Sequence, residues 1–399
     1  MSLPTDVRPA ESGSTGHPAT VHDLVLTGGT VLDPATGISG RYDVAVTDGL
    51  ISAVAPTIDA PAGERVDCTG RLVLPGLVEG HTHIFEHVSK VGANPVEAHL
   101  RRGVVAACDA GTAGASTFAA FKKYVVEPSG MRILNFLNVS VLGLIDFRFG
   151  ELMRPETLVV EDALQTAQEN PDIVKGFKIR LSEDVVGENW VQLLETSLGL
   201  AEQAGLPLMV HIGETSEPLS VVLPYLRPGD IVAHCYTGKP YNVLVDGKVQ
   251  PAVMAARERG VLFDSAHGKS NLSFDIARIA IAEGFLPDIA SSDTSGRNWR
   301  GPVFDLLTSL SKLVALGAPL ADIVQRATID PARLLGIADE GYGSLAVGTA
   351  AHVTVVEEVS DQVLPDAAGN SIVAPRFEPV TVLHHGAPVE LVPWRGLGA

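Results

Sequence analysis

Two histidines lie two positions apart at the end of an apolar run, in the stretch LPGLVEGHTHIF at residues 74–85. Side chains alternate across a β-strand, so His81 and His83 point to one face if this run is a strand. Two imidazoles on one face can bind one metal ion, and imidazole nitrogen suits zinc. The pair alone is weak evidence, because the same spacing arises by chance in surface loops. His87 is predicted to lie past the strand, in a polar loop.

Potential metal ligands also occur at the ends of later apolar runs. These runs are DIVKGFKIRLS (172–182), LPLMVHIGE (206–214), DIVAHCYTG (230–238), GVLFDSAHG (260–268) and PDIASSDTSG (287–296). In the same order they carry Lys178 with Arg180, then His211, His234, His267 and Asp293. In a parallel barrel the carboxyl ends of the strands meet at one face, where active sites lie. We therefore expect these side chains to converge with His81 and His83.

Two lysines lie in the first of these runs, and only one of them suits the site. Lys175 and Lys178 are three residues apart, so they face opposite sides of a strand, and Lys175 lies nearer the strand start. A neutral Lys178 can react with carbon dioxide to give a carbamate, an anionic ligand that bridges two metals. The alternative is a lysine that binds an anionic substrate. Spacing alone does not separate these two interpretations.

The elements that must position these residues are strands alternating with helices. Between residues 74 and 338 the sequence contains eight apolar strand-like runs, with segments of helical composition between them. Nearly continuous apolar strands followed by helices indicate a parallel sheet covered on both faces. Eight such units predict an α/β fold of the (β/α)8 TIM-barrel type. A doubly wound sheet is the alternative, but the chain lacks a glycine-rich dinucleotide fingerprint.

The two ends of the chain differ from its middle and resemble each other. Residues 22–73 and 339–399 hold short β-rich runs separated by glycine, proline and aspartate turns, as in antiparallel sheets. We predict a small β-sandwich domain built from both ends of the chain, since chain ends often lie close together. Residues 1–21 are rich in proline, serine, threonine and glycine and are predicted to form a disordered tail.

Composition excludes some classes of partner. The 399-residue chain has a formal net charge of −18, so it repels phosphate backbones, and neither nucleic acid nor an anionic membrane surface is expected as a partner. Three widely spaced cysteines do not suggest a disulfide framework, and no apolar run reaches the length of a membrane span. A soluble cytoplasmic protein that acts on a small molecule is expected. The sequence leaves open whether it forms a homo-oligomer.

With these residues in place, the chain resembles the amidohydrolase superfamily from about residue 22 onward. The resemblance is carried by PGLVEGHTH, by the lysine, histidines and aspartate at the later strand ends, and by ATIDPARLLGI and GSLAVGTAAHVTVV near the end. GFKIRLS, HCYTG and FDSAHG resemble more narrowly the deacetylase or dihydroorotase-like branch. The chain departs from the family pattern at Ala351-His352, where most relatives have Ala-Asp.

The resemblance implies a binuclear metal centre. It assigns His81, His83, Lys178 and Asp293 to the more buried ion, and His211, His234 and a carbamate formed from carbon dioxide on Lys178 to the more exposed ion. Both ions would be divalent and zinc is expected. A hydroxide would bridge them, and Asp293 would take its proton during attack and pass it to the leaving group.

This implied site predicts a metal-dependent hydrolase that cleaves an amide or ester bond. Deacylation of an N-acyl or O-acyl carboxylic acid is favoured, with a cyclic amidase of the dihydroorotase or hydantoinase type as the alternative. A catalytically inactive binding protein is disfavoured because all six ligand positions are filled. His267, Arg180 and Tyr236 are candidate substrate contacts. For each an internal role is the competing interpretation: packing for the first and third, an ion pair for Arg180.

Overall fold

The computed structural model describes residues 21–393. The tail predicted for residues 1–21 lies, apart from Val21, outside the described residues. The strands are β1 (His22–Asp33), β2 (Ile38–Thr47), β3 (Leu50–Ala55), β4 (Ala62–Asp67), β5 (Leu72–Pro75), β6 (Leu77–Thr82), β7 (Val104–Gly114), β8 (Arg132–Asn138), β9 (Val174–Arg180), β10 (Leu208–His211), β11 (Ile231–Ala233), β12 (Leu244–Val245), β13 (Lys248–Val249), β14 (Leu262–Asp264), β15 (Val353–Pro365), β16 (Ser371–His384) and β17 (Ala387–Pro388).

Helices follow most strands of the middle region. They are α1 (Pro95–Ala98), α2 (Ala115–Phe121), α3 (Glu127–Ser129), α4 (Val160–Glu169), α5 (Glu183–Val186), α6 (Trp190–Ala204), α7 (Leu219–Val222), α8 (Pro251–Glu258), α9 (Phe274–Ala282), α10 (Leu306–Ala315), α11 (Leu320–Gln325) and α12 (Ile329–Leu334). Among the helices that the structure describes, none combines the length and apolar composition needed to cross a bilayer.

Seven of the eight predicted apolar runs form one curled parallel sheet, in the order β14-β11-β10-β9-β8-β7-β6. Every residue of β7 is buried, as is expected for a strand covered on both faces. The helices pack on this sheet through one large apolar cluster that includes Phe121, Phe177, Leu194 and Phe263. The structure is therefore mixed α/β, and the carboxyl ends of its parallel strands share one edge.

The eighth run, at residues 287–296, is not a strand, which corrects the prediction for that segment. Ile289 forms an isolated parallel bridge with Asp264 on one edge of the sheet, and Thr294 forms another with Thr82 on the opposite edge. Between them, the Ser292 backbone N–H donates to the carboxylate of Glu79 rather than to a strand carbonyl (3.0 Å). A regular ladder is interrupted here because side chains take the backbone hydrogen bonds.

Both ends of the chain contribute to a second sheet, in the order β17-β16-β15-β5-β1-β2-β3, with β4 also paired to β1. The sheet is mixed and not wholly antiparallel, because the long strand β1 pairs in parallel with β4 along its first half and with β5 near its end. The described strands of both chain ends belong to this one branched sheet. The β-sandwich, which requires two sheets packed face to face, therefore stays a prediction. The run at 74–85 is split at Gly76 between the two sheets.

Candidate metal centre

His81 lies near the carboxyl end of β6 and is completely buried. Its Nδ1 lies 2.9 Å from Oδ2 of Asp264, the last residue of β14, and its Nε2 lies 3.3 Å from Nζ of Lys178. A proton on Nδ1 is donated to the carboxylate, which leaves the Nε2 lone pair directed toward Lys178. This is the usual arrangement of a histidine ligand whose second nitrogen is held by a carboxylate.

His83 and Asp293 meet across the gap between β6 and the segment that follows β14. Nε2 of His83 lies 3.3 Å from Oδ1 of Asp293, and its Nδ1 lies 2.8 Å from the hydroxyl of Thr112. Asp293 has a positive φ of 50° and donates its backbone N–H to the carbonyl of His81 (2.8 Å). The backbone of Asp293 is thus fixed against β6, and its carboxylate faces the histidines.

His211 ends β10, and His234 directly follows β11. Nε2 of His234 lies 2.7 Å from Nδ1 of His211. Nδ1 of His234 donates to the carbonyl of Ala266 (2.7 Å), and a carbonyl only accepts, so the lone pair of a neutral His234 is on Nε2. The His234 ring lies 5.3 Å from the His81 ring between centroids.

The structure therefore brings all six predicted ligand positions together. Ligand atoms of His81, His234 and Asp293 lie within 4.8 Å of one another. The other three residues each contact a member of this group: His83 contacts Asp293, Lys178 contacts His81, and His211 contacts His234. Imidazole nitrogens and a carboxylate in this number form a donor set that suits divalent zinc-like ions. The residues present fit a metal centre.

Burial dominates the electrostatics of this cluster. It lowers the pKa values of all four histidines well below their usual value, so each ring is neutral and offers a lone pair at neutral pH. Burial also lowers the pKa of Lys178 to about 8, against the opposing attraction of Asp293 and Asp264. It raises the pKa of Asp293 to about 8, against the opposing attraction of Lys178. Burial thus shifts the equilibria of both the amine and the carboxylate toward their uncharged forms.

Two glycines make room for these side chains. A Cβ on Gly111, which has a positive φ of 87°, would lie 2.6 Å from Cγ of Lys178. A Cβ on Gly268, with φ of 58°, would come within overlap distance of the Asp293 carboxylate. Gly111 follows Asp109, whose carboxylate accepts from the backbone N–H groups of Ile84 and Thr112 (3.0 and 2.7 Å). The second half of β7 is thereby shaped around the stem of Lys178.

Comparison with known proteins decides the family. A scan against models of protein families finds no match. A deacetylase of Agrobacterium fabrum is 34% identical to this chain, over 83% of this chain and 82% of the relative. The chain belongs to the amidohydrolase superfamily. Two solved structures are similar to this chain. A dihydroorotase has 31% sequence identity and a TM-score of 0.86, and the match covers 93% of this chain and 98% of that one. An adenine deaminase has 29% identity and a TM-score of 0.84, and the match covers 92% of this chain and 99% of that one.

Arg180, two residues beyond Lys178, is a predicted substrate contact of this amidohydrolase. Its guanidinium forms an ion pair with Glu151 (3.1 Å), so Arg180 has an internal partner, although this partner is neither Asp109 nor a carboxylate on a helix. The side chain of Glu151 is buried, and its second oxygen has no hydrogen-bond partner among the described atoms. Glu151 also lines a cavity of about 650 Å³ whose other walls include Leu144, Ile145, Met153 and Arg154. Glu151 thus connects Arg180 to this cavity, whose described lining includes none of the six predicted ligands.

The other two predicted substrate contacts, His267 and Tyr236, lie in different surroundings. His267 is buried, and its Nε2 lies 2.8 Å from Nζ of Lys312, whose pKa burial lowers to about 7. Tyr236 is completely buried within the apolar cluster, and its hydroxyl donates to the carbonyl of Phe285 (2.7 Å). This position is that of a core aromatic, and it does not support the substrate contact predicted for Tyr236.

Sequence reasoning missed two buried carboxylates of the amidohydrolase. Asp264 holds His81, and Glu79 accepts from the backbone N–H groups of His81 and Ser292 (3.2 and 3.0 Å). Burial raises the pKa of Asp264 to about 7 and that of Glu79 to about 8. The position of Asp264 could have indicated its role, because it is the last residue of β14 and lies three positions before His267. Glu79 had none beyond its place in an apolar run.

Proposed function

We propose that this amidohydrolase removes the acyl group from a small N-acyl or O-acyl carboxylic acid by hydrolysis of its amide or ester bond. The observation that carries the proposal is the convergence of four histidines, a buried lysine and an aspartate at the carboxyl ends of the parallel strands. The choice of deacylation is supported by the 34% identical relative, which is named a deacetylase.

The proposed centre holds two divalent zinc ions. One is bound by His81, His83, Lys178 and Asp293, and the other by His211, His234 and the same lysine as a carbamate. When bound, such ions act as Lewis acids that activate water and polarise the scissile carbonyl. Carbamate formation requires a neutral amine, and a Lys178 pKa of about 8 leaves a substantial neutral fraction at physiological pH. An anionic carbamate would also remove the electrostatic repulsion between a protonated lysine and two metal cations.

Asp293 is proposed as the proton carrier. Its carboxylate lies beside His83 in a buried setting that raises its affinity for a proton, while its backbone is held by His81 and by the side chain of Asn298 (2.7 Å). A fixed carboxylate can accept a proton from the attacking water and deliver it to the leaving nitrogen or oxygen of the substrate. Thr112 keeps the His83 ring turned toward this carboxylate.

The substrate is proposed to be a small anionic molecule with an extended acyl or side chain. The cavity connected to Arg180 through Glu151 has mainly apolar walls, and Lys90 and Arg154 line it together with Asp146 and Glu151. Apolar walls fit a hydrocarbon group, and cationic side chains attract a carboxylate. Arg180 and His267 remain the proposed residues that orient the substrate, the first through its ion pair with the cavity residue Glu151 and the second through its place in the loop after β14.

The architecture proposed for this activity is a complete (β/α)8 barrel at residues 74–338 and a β-sandwich of residues 22–73 and 339–399. Residues 289–294 would take the eighth barrel position, which is supported by their bridges to both edges of the parallel sheet. A cytoplasmic location is proposed with support from the three cysteines, which are free and buried.

A second candidate activity is the opening of a cyclic amide. It is favoured by the similarity to a solved dihydroorotase at a TM-score of 0.86. The two activities differ in what the pocket must accept: a linear acyl chain with a free carboxylate, or a compact ring.

The test is a substrate panel of N-acyl amino acids and O-acyl hydroxy acids against cyclic imides and ureides, using zinc-loaded enzyme. An Asp293→Asn variant serves as the control, because it keeps the size of the side chain and removes the proton acceptor. Hydrolysis of an acylated acid that depends on Asp293 supports deacylation. Turnover of cyclic compounds alone would replace it with the second candidate.

A further inference from the structure

A second histidine cluster lies in the small sheet, apart from the centre described above. His352 immediately precedes β15, His384 is the last residue of β16, and His385 begins the turn to β17. The three ring centroids are 4.4, 4.5 and 4.9 Å apart. One ring nitrogen from each histidine lies within 4.8 Å of one from each of the others. Three imidazoles therefore point into one small volume.

Two of these rings carry nitrogens without a partner in the described structure. Nε2 of His384 donates to the carbonyl of Gly130 (2.9 Å), so its Nδ1 carries the lone pair, and this Nδ1 is buried and unpaired. His352 is completely buried and its Nε2 is also unpaired. Its Nδ1 accepts a long hydrogen bond from the His385 backbone N–H (3.4 Å); binding of an ion by Nε2 would move the ring proton to Nδ1 and end this contact. Buried polar atoms without partners are uncommon and call for a physical explanation.

We infer that His352, His384 and His385 form a second metal site, which binds a divalent ion of the zinc type. Three imidazoles and one water complete a tetrahedral coordination shell, and this donor set suits zinc, copper and nickel rather than magnesium or calcium. Zinc–nitrogen bonds of about 2.0–2.1 Å place ligand nitrogens about 3.3 Å apart. The described spacing must therefore shorten slightly, and His385 is exposed and can turn inward.

The surroundings hold two of the ligands in place before any ion binds. Tyr342 stacks on His352 with 4.4 Å between ring centroids and an angle of 16°. Gly76 lies against the other side of His352, where an added Cβ would come within 3.0 Å of the histidine Cβ. The contact with Gly130 fixes the ring of His384. An ion at this site would join the start of β15 to the end of β16, so its expected effect is on stability rather than chemistry.

The test compares Zn²⁺ binding by the full chain with binding by His385→Asn. His385 has a positive φ of 50°, which asparagine tolerates. His87→Asn is the matched control, because His87 is also an exposed histidine at a positive φ, of 65°. After gel filtration in micromolar Zn²⁺, His385→Asn should retain one ion fewer per chain than the unmodified protein and the control. Equal metal content in all three proteins would overturn the inference, whatever the number of ions at the barrel centre.

A second measurement needs no variant. Diethyl pyrocarbonate modifies accessible imidazoles, and mass spectrometry of peptides locates the modified residues. Added Zn²⁺ should reduce modification of His385 by about fivefold or more, because a coordinated nitrogen is not nucleophilic, while modification of His87 stays unchanged. Undiminished modification of His385 in saturating Zn²⁺ would contradict the site. A rise in Tm with Zn²⁺ that is smaller in His385→Asn than in His87→Asn would support it.

Discussion

Replacement of Asp264 by asparagine tests how the protein prepares His81 to bind metal. Asp264 accepts from Nδ1 of His81 through Oδ2, and through Oδ1 it accepts from the Ala266 backbone N–H (3.1 Å) and the hydroxyl of Ser291. An asparagine must place its NH₂ group on one of these sides. Facing Ala266 and Ser291 it meets two donors. Facing His81 it favours the tautomer with a proton on Nε2, which cannot bind metal.

Both orientations of the asparagine amide raise the free energy of the site, and this cost sets the expected loss of metal affinity. Loss of a charge-assisted hydrogen bond at a buried site costs about 1.5–3 kcal/mol. Removing the group that orients a histidine ligand typically lowers metal affinity by about 10–100-fold, which corresponds to about 1.4–2.7 kcal/mol. The two estimates agree. We expect Asp264→Asn to lose 10–100-fold in affinity for the ion at His81, with a parallel loss of kcat/KM at limiting Zn²⁺, both of them order-of-magnitude figures.

The assay is competition for Zn²⁺ with a chromophoric chelator, together with rates measured at fixed free metal. Asp230→Asn is the matched control. Asp230 is equally buried and accepts from the Leu208 N–H and from Arg227, but none of its described hydrogen bonds reaches a predicted ligand. It should lower stability without changing metal affinity. Unchanged affinity and activity in Asp264→Asn would refute the role given to this carboxylate.

Three further predictions concern single residues. Tyr236→Phe removes the hydrogen bond to Phe285 and should lower stability by about 1–2 kcal/mol in urea unfolding while leaving kcat/KM within about twofold; a much larger loss of activity would give Tyr236 a place in the site. Burial lowers the pKa of His99 from its ordinary value of 6.5 to about 3. The folded protein therefore keeps His99 neutral, and this contribution to stability is complete above pH 6.5. It is lost progressively as the pH falls from 6.5 toward 3, because the unfolded chain then binds a proton that the folded chain does not. Between about pH 7.5 and pH 5 the unmodified protein should lose about 2 kcal/mol more than His99→Gln, and equal losses would contradict the assignment. Lys178→Ala should abolish hydrolysis and recover part of it with short carboxylic acids, whereas full activity without them would exclude the carbamate.

The parallel strands and the convergence of the six candidate side chains were predictable because they depend on local patterns. Short continuous apolar runs ended by turns predict buried parallel strands, and seven of these runs form the sheet. Polar side chains at the ends of such strands must share one edge of the sheet. Strand geometry predicted that Lys175 and Lys178 lie on opposite faces of β9. Lys178 is buried, and the Lys175 ammonium group donates a hydrogen bond to the Pro171 carbonyl (2.9 Å).

What the sequence did not predict depends on contacts between distant parts of the chain. The bond from Asp264 to His81 joins residues 183 positions apart, and nothing in either segment indicates it. The irregular segment after β14 results from Glu79, which takes a backbone N–H that a strand partner would otherwise receive. Tyr236 follows a predicted ligand in sequence, but its side chain enters the core. Local spacing gave no sign of this direction, because the chain turns at His234, which has a positive φ of 70°.

The most direct test of the central claim is hydrolysis of an acylated amino or hydroxy acid by metal-depleted and zinc-reconstituted protein. Chelation followed by gel filtration should abolish activity, and Zn²⁺ should restore it in proportion to occupancy of the centre formed by His81, His83, Lys178, His211, His234 and Asp293. Recovery should fail in Asp293→Asn, which keeps most of the ligands. Full activity in protein that contains less than about 0.1 ion per chain would contradict the proposal of a metal-dependent hydrolase.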